Sequence, residues 1–351
     1  MDFVKNTRKV KVGGIYIGGS TPITVQSMLN VPAHDSEGNV RQALALEKAG
    51  CDIIRVSVPD KDSLKTVIAL KENISVPVVA DIHFDWRLAV ECAGIGVDKI
   101  RINPGNIGEE ENVARVVAAC KAKNIPIRVG VNSGSVQKDI LARFGSATPE
   151  ALVESGLMHI RLLEKYDFYD TVLSLKSSNV KTMYDAYSLA HEKCDYPLHL
   201  GVTEAGTYNA ACIKSAAGIG GLLLKGIGDT IRISITGDPV KEVEAGIELL
   251  KALNLRKGGI KFISCPTCGR TKVDLIGLAE KAQKRFKDID KDLTVAIMGC
   301  VVNGPGEASA ADIGIAGGKG CGALFKKGEI IKANLPENKL LDALYEEILK
   351  M

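Results

Sequence analysis

Short apolar runs rich in β-branched residues alternate with longer amphipathic stretches from about residue 23 to residue 253. The runs predict strands over 23–28, 52–58, 76–83, 99–103, 125–132, 171–176, 197–203 and 230–236, each too short to be a buried helix. Their starts fall mostly 23 to 33 residues apart, with one gap of 46 before the sixth. The stretches between them read as helices. Residues 39–49 carry Val40, Ala43, Leu44 and Leu46 at helical spacing, and 238–253 opens on an Asp238-Pro239 start signal. Eight strand–helix units in this length predict a parallel (β/α)8 TIM barrel within the α/β class. A doubly wound sheet would place a glycine-rich phosphate turn after its first parallel strand. Here Val12-Gly13-Gly14-Ile15 and Ile17-Gly18-Gly19-Ser20 come before it and fit a hairpin plugging the bottom of a barrel.

The pattern changes at Lys257-Gly258-Gly259, which divides the chain into domains at 1–257 and 258–351. The second segment predicts strands at 261–264, 293–298, 313–316 and 321–326, with helices at 272–286 and 338–350. This is an α+β arrangement of about 90 residues, large enough to fold alone and helped by a metal centre.

With 45 basic and 42 acidic residues the net charge is only +3, so the chain is no general nucleic-acid coat and any anion site must be local. No run of eighteen apolar residues exists, and the first residues lack the apolar stretch of a signal peptide. No membrane association and a cytoplasmic location are the expectation. Nine cysteines without an export signal point to free thiols or metal ligands rather than a disulfide framework. Cys51, Cys92, Cys120, Cys194 and Cys212 lie in apolar contexts and read as small buried hydrophobes.

Barrel strands should be nearly continuous apolar runs, yet Arg55, Arg101, Arg128 and Arg232 interrupt theirs and Lys176 ends the sixth. An unpaired buried charge costs several kcal/mol, so these cations need carboxylates or an anionic ligand. The acidic residues within reach are few, Asp81 on the third strand and Glu204 after the seventh. Arginine forks suit phosphate oxygens, which predicts a phosphate or diphosphate pocket at the barrel's C-terminal mouth. The alternative pairs each arginine with an acidic residue on an outer helix. Ser57, His83, Asn103 and Ser234 share the inward faces of their strands, while Asn132 and Ser133 fit either the site or a turn.

The sharpest chemical signal is Cys265-Pro266-Thr267-Cys268-Gly269-Arg270, followed by Gly299-Cys300 and, a few glycine- and proline-rich residues further on, Gly306-Glu307. A C-x2-C pair brings two thiolates to one metal from a single turn, and a third cysteine closes the site from another loop. Three cysteines suit an iron-sulfur cluster with one open iron. Cys321 as a fourth ligand would restore a four-cysteine zinc site, and Glu307 is the other candidate. A zinc-stabilised barrel acting as a lyase or transferase, and a zinc-ribbon nucleic-acid module, are the alternative classes. Near-neutral charge and the lack of aromatic residues around the cysteines oppose the latter.

The combination of Pro22-Ile23-Thr24-Val25-Gln26-Ser27-Met28, Val79-Ala80-Asp81-Ile82-His83-Phe84, residues 100–108 (IRINPGNIG), residues 128–135 (RVGVNSGS) and the two cysteine motifs is specific. Over essentially its full length the chain resembles the bacterial two-domain 4-hydroxy-3-methylbut-2-enyl diphosphate synthases (IspG/GcpE family), iron-sulfur enzymes of the non-mevalonate isoprenoid pathway. The resemblance implies a barrel that binds 2-C-methyl-D-erythritol 2,4-cyclodiphosphate and a C-terminal sulfite-reductase/ferredoxin-like domain. It also implies a [4Fe-4S] cluster on Cys265, Cys268, Cys300 and Glu307, leaving Cys321 a structural role. Arg55, His83, Arg101, Arg128, Lys176, Arg232 and Ser234 would hold the diphosphate. Asp81, Asn132 and Glu204 would lie nearer the erythritol part, with Glu204 as proton donor and Glu307 as the exchangeable iron ligand. Further implications are reduced flavodoxin or ferredoxin as electron donor and a head-to-tail homodimer with shared active sites. No nucleotide-binding fingerprint is present.

Overall fold

The computed structural model describes residues 7–300 and 308–351. They form two compact units, 1–256 and 257–351. The first opens with an antiparallel hairpin, β1 (Val10–Val12) and β2 (Ile15–Ile17). Eight parallel strands follow: β3 (Thr24–Met28), β4 (Ile53–Ser57), β5 (Val78–Asp81), β6 (Lys99–Ile102), β7 (Ile127–Asn132), β8 (Thr171–Lys176), β9 (His199–Leu200) and β10 (Thr230–Ile231). Their spatial order is β8-β7-β6-β5-β4-β3-β10-β9, and a parallel bridge between Leu173 and Leu198 closes the ring. This is the expected (β/α)8 barrel.

Helices α1 (Ser36–Lys48), α2 (Leu64–Asn73), α3 (Trp86–Ile95), α4 (Glu110–Lys123), α5 (Lys138–Phe144), α6 (Pro149–Glu164), α7 (Val180–Lys193), α8 (Tyr208–Ser215), α9 (Gly221–Leu223) and α10 (Pro239–Ala252) pack around it. The long gap before the sixth parallel strand is filled by the pair α5 and α6. Their starts are encoded locally: Asp35, Thr148, Asn179 and Asp238 each accept a backbone N–H of the first turn, and Pro149 and Pro239 occupy the first helical position. The outward face of each strand, such as Ile54, Val56, Ile100 and Ile102, is buried against these helices. At the bottom Val10, Val12 and Ile17 of the hairpin pack on Ile53, Val79 and Val172, sealing that end with an apolar plug.

β9 and β10 are shorter than the predicted 197–203 and 230–236. The ladder stops where the sequence turns polar, and Gly201, Thr203, Arg232 and Ser234 continue as irregular chain toward the mouth. Cys51, Cys92 and Cys120 are buried as expected, their thiols pushed up to about 12 by burial, whereas Cys194 and Cys212 are half-buried.

The second unit is a mixed five-stranded sheet in the order β11 (Ile260–Ser264), β12 (Leu293–Met298), β13 (Ile313–Gly317), β14 (Cys321–Lys326), β15 (Glu329–Pro336). The first three strands are parallel and the last two antiparallel. Helices α11 (Leu275–Arg285) and α12 (Leu340–Lys350) cover one face, where Leu275, Phe286, Leu340, Leu344 and Ile348 meet Val295, Ile297, Ile313 and Ile315. Ala296, Met298, Ala308, Ala311, Ala316 and Phe325 make a thinner layer on the other face. β15 escapes the sequence pattern because it is an exposed edge strand with no apolar alternation to betray it. Among the described residues no helix is long and apolar enough to cross a membrane.

Candidate active site and cysteine centre

Because strand side chains alternate in direction, Arg55, Arg101, Arg128, Lys176 and the residues after β10 project toward the barrel axis. They meet at the C-terminal mouth around a cavity of about 300 Å³, lined by Arg55, Arg101, Arg128, Asn132, Lys176, Glu204, Arg232 and Ser234 with Met28, Gly130, Ser174 and Thr203. Eight of the predicted site residues are thereby brought together. Asp81 and His83 are not among the lining residues, but Asp81 bonds two residues that are, and the His83 side chain is 43% exposed. Asp81 is fully buried, and its carboxylate accepts Arg55 Nη2 at 2.6 Å and Arg101 Nη1 at 3.2 Å, with His83 Nε2 3.4 Å away. Burial alone would raise this carboxyl, but the two guanidiniums outweigh it and hold Asp81 well below the usual carboxylate range. Its geometry is that of an anion orienting two arginines.

Arg232 is held differently. Glu242 of α10 accepts Arg232 Nε and Nη2, both at 3.1 Å, together with Ser27 Oγ at 2.9 Å and the Ile235 N–H at 3.0 Å. The outer-helix alternative therefore holds for this one arginine. Arg128 and Lys176 pair with no carboxylate among the described residues. Arg128, 1% exposed, donates Nη1 to Gln26 Oε1 at 3.0 Å. Burial and the neighbouring cations push both groups well below their ordinary range, and burial, only partly offset by Asp81, brings Arg55 down to about 10. This is the electrostatic signature of a pocket awaiting negative charge.

Two glycines make room for the cations. A Cβ on Gly130 would lie 2.6 Å from Arg101 Nε, and one on Gly201 would lie 3.2 Å from Lys176 Nζ. Glu204 at the rim is exposed and sits in left-handed backbone conformation with φ of 53°, uncommon for a non-glycine residue and frequent at functional positions. Asn132 is fixed by Ser135, whose Oγ accepts the Asn132 N–H at 2.9 Å and donates to its carbonyl at 3.0 Å.

Two residues escaped the sequence reading. Lys99 lies two residues before Arg101 on the same strand face, so period two alone identifies it as a sixth interior cation. Glu242 sits on the inward stripe of α10 with Val243, Gly246 and Leu250, a position where an acidic residue signals a buried partner.

In the second unit β11 ends immediately before Cys265 and its parallel neighbour β12 ends two residues before Cys300, with Ser264 opposite Ile297. The Gly299 N–H donates to Cys265 Sγ at 3.2 Å, and the Lys272 N–H donates to the Gly299 carbonyl at 3.1 Å, so the two cysteine loops are joined. Thr271 closes the C-x2-C turn, its Oγ1 accepting the Cys268 N–H at 3.1 Å. Cys268 is exposed, and the Arg270 N–H and side chain lower its thiol. Glu307 lies outside the described residues. Among the described residues no three His, Cys, Asp or Glu side chains are close enough to share one metal ion. The donor chemistry nonetheless fits an iron-sulfur cluster: thiols on two adjoining loops, one lowered toward thiolate, with a glycine N–H already aimed at sulfur. Cys321 begins β14, two strands from β12 and therefore about 10 Å across the sheet.

A GcpE TIM-barrel domain model matches residues 7–247 and a GcpE protein C-terminal domain model matches residues 261–350. A curated relative from Caldanaerobacter subterraneus subsp. tengcongensis, named 4-hydroxy-3-methylbut-2-en-1-yl diphosphate synthase (flavodoxin), is 58% identical over 99% of this chain and 98% of its own. A protein of the same name from Clostridium perfringens is 56% identical over the same shares. Among solved structures, a Yersinia pestis dihydropteroate synthase in a sulfonamide complex superposes with a TM-score of 0.50 at 14% identity, over 71% of this chain and all of that one, a likeness of fold alone. With both of its compact units matched and its relatives aligned nearly end to end, the chain belongs to the GcpE family.

Proposed function

We propose that the barrel cavity binds 2-C-methyl-D-erythritol 2,4-cyclodiphosphate and that the protein catalyses its two-electron reductive ring opening and dehydroxylation to (E)-4-hydroxy-3-methylbut-2-enyl diphosphate, the activity named for its relatives. The observation that carries the reading is the charge imbalance at the mouth. Arg55, Arg101, Arg128, Lys176 and Arg232 converge there, and the only carboxylates bonded to them among the described residues are Asp81 and Glu242.

The stoichiometry suits that imbalance. The cyclodiphosphate dianion takes two electrons and one proton and yields the allylic diphosphate trianion and water, so the ligand gains negative charge while it is held. Arg55, Arg101, Arg128, Lys176 and Arg232, with Ser234 and His83, grip the diphosphate oxygens, and Asp81 and Glu242 keep the guanidinium forks aimed. Glu204, at the rim, delivers the proton to the hydroxyl oxygen that leaves as water, and Asn132 orients the erythritol part. Cys265, Cys268, Cys300 and Glu307 would hold a [4Fe-4S] cluster. Bound there, it supplies single electrons and a Lewis-acidic iron. Reduced flavodoxin is the donor that the relatives' names support, with ferredoxin the other small carrier of the same role. We place the reaction in the cytoplasm and the working assembly as a head-to-tail homodimer whose active sites combine one copy's barrel with the other's cysteine centre.

The test is iron, sulfide and zinc analysis with EPR on protein purified without air, before and after dithionite and the cyclodiphosphate, alongside turnover with reduced flavodoxin. About four iron and four sulfide per chain, a reduced signal shifted by substrate, and product formation are expected. One zinc per chain and no chromophore would instead leave a zinc-stabilised lyase or transferase. For the assembly, Cys300→Ser chains mixed with Arg128→Ala chains should regain activity as heterodimers, and heterodimers that stay inactive would refute shared sites.

A further inference from the structure

Below the mouth the barrel interior holds a layer of side chains to which the proposed chemistry gives no part. Lys99 of β6 is fully buried, and among the described residues its Nζ has no hydrogen-bond partner. Gln26 Nε2, Arg128 Nε and His199 Nε2 are likewise buried without partners, while His199 Nδ1 lies 3.4 Å from Thr230 Oγ1. The charged and titratable groups around Lys99 are Arg128 on β7, Arg55 on β4 and His199 on β9, with Arg101 further along its own strand. The nearest carboxylate on a neighbouring strand, Asp81 of β5, is already committed to Arg55 and Arg101. An ammonium at Lys99 therefore has no counter-charge. Burial and the guanidiniums of Arg128 and Arg55 press it toward the neutral amine, well below the ordinary lysine range.

A diphosphate seated on Arg55 and Arg128 would cancel the two charges that disfavour that ammonium and place negative charge above it. We propose that Lys99 is the charge-balancing residue of the anion pocket: a neutral amine in the free protein that takes up a proton from solvent when a diphosphate binds. The inference rests on the functional reading above, since it needs the mouth to hold a diphosphate. Lys99 touches no substrate and acts through Arg55 and Arg128, so it is a positioning residue. The proton it gains keeps those two guanidiniums from facing the growing ligand charge alone.

Proton uptake is read directly by titration calorimetry of the full-length protein with inorganic diphosphate and with the cyclodiphosphate, each in two buffers of different ionisation enthalpy at one pH. Lys176 lines the cavity and also lacks a carboxylate among the described residues, so whatever proton it exchanges on binding is common to every variant. The informative quantity is the difference between the wild type and Lys99→Met. The wild type should take up on the order of one proton more, and its affinity should weaken toward alkaline pH by about tenfold per unit for each proton coupled. Lys99→Arg, permanently charged, should bind without that extra proton, which keeps the test open should the methionine variant fold poorly. Binding with no dependence on buffer, or equal uptake in wild type and both variants, would overturn the proposal alone. Failure of both ligands to bind the wild type would overturn the functional reading with it.

Discussion

Gly130→Ala separates the demands of the fold from those of the site. The added methyl would stand 2.6 Å from Arg101 Nε, 3.0 Å from Nη2 and 3.2 Å from Cζ, where ordinary contact begins near 3.4 Å. The guanidinium must shift by about 1 Å away from β7, which spoils the geometry of its 3.2 Å hydrogen bond to Asp81 Oδ1. Only the far end of a side chain moves, and neither strand shifts. Loss of one charge-assisted hydrogen bond costs about 1.5 to 3 kcal/mol, and Asp81 keeps Arg55 at 2.6 Å, so the stability change should lie at the lower end of that range. The effect on chemistry should be larger, because a displacement of about 1 Å in a substrate clamp costs roughly 100-fold in kcat/KM. Calorimetric melts and steady-state turnover of the cyclodiphosphate with reduced flavodoxin measure the two quantities separately. Combining the change with Arg101→Ala should add almost nothing to the loss, since both remove the same fork. A Gly130→Ala protein with kcat/KM within threefold of wild type would refute the placement of Arg101 at the substrate.

Glu242→Ala leaves the Arg232 guanidinium, 17% exposed at the cavity, without its carboxylate and should cost about 2 to 3 kcal/mol in urea unfolding, with Glu242→Gln intermediate; a loss below 1 kcal/mol in both would mean that the four-bond clamp does not stabilise the barrel. Burial brings the His159 imidazole down to about 4, in keeping with Gln137 Nε2 lying 2.5 Å from its Nε2. The folded-state value lies below the unfolded one, so stability is full above about pH 6.5 and falls by about 3 kcal/mol as the pH drops to 4. His159→Gln should flatten that part of the melting-temperature profile, and an unchanged profile would show that another group titrates there. For the cysteine centre, Cys268→Ser should abolish retained iron and Cys321→Ser should leave it intact, as measured on protein purified without air; the reverse pattern would return Cys321 to the ligand set.

The barrel was legible because its strands are β-branched runs at repeating spacing, and the pocket because a charge inside such a run has few places to go. Arg55, Arg101 and Arg128 could be read that way. What remained hidden was depth and partnership. Lys99 and Arg101 share a face, yet only the assembled ring shows that Arg101 lines the mouth and Lys99 is sealed beneath it. Glu242 sits on a helix that also carries exposed charge, and nothing local says that its carboxylate turns inward to meet Arg232 and Ser27. Asp81 drew attention as an acid on an inward strand face, but its bonds to two arginines mark it as a counter-ion. The edge strand β15 offered no periodicity to read, because neither of its faces is buried.

The ring itself has a seam. Seven of its eight junctions are ladders, while β8 and β9 meet through the Leu173–Leu198 bridge, where Leu173 donates its N–H at 2.8 Å to Pro197, a residue with no N–H to give in return. Above that bridge the buried Tyr187 hydroxyl spans the seam, accepting the Leu175 N–H at 3.0 Å and donating to the His199 carbonyl, and the Thr203 N–H donates to the Ser177 carbonyl at 3.3 Å, so single bonds hold this junction where the others have ladders. Lys176 ends one lip of that seam and reaches over Gly201 on the other, with Arg232 just past the end of the next strand, β10. An anion gripped by Lys176 and Arg232 ties the two lips together, so slowed amide hydrogen exchange at Leu173 and Leu175, whose N–H groups face the seam, reports an occupied mouth without any turnover.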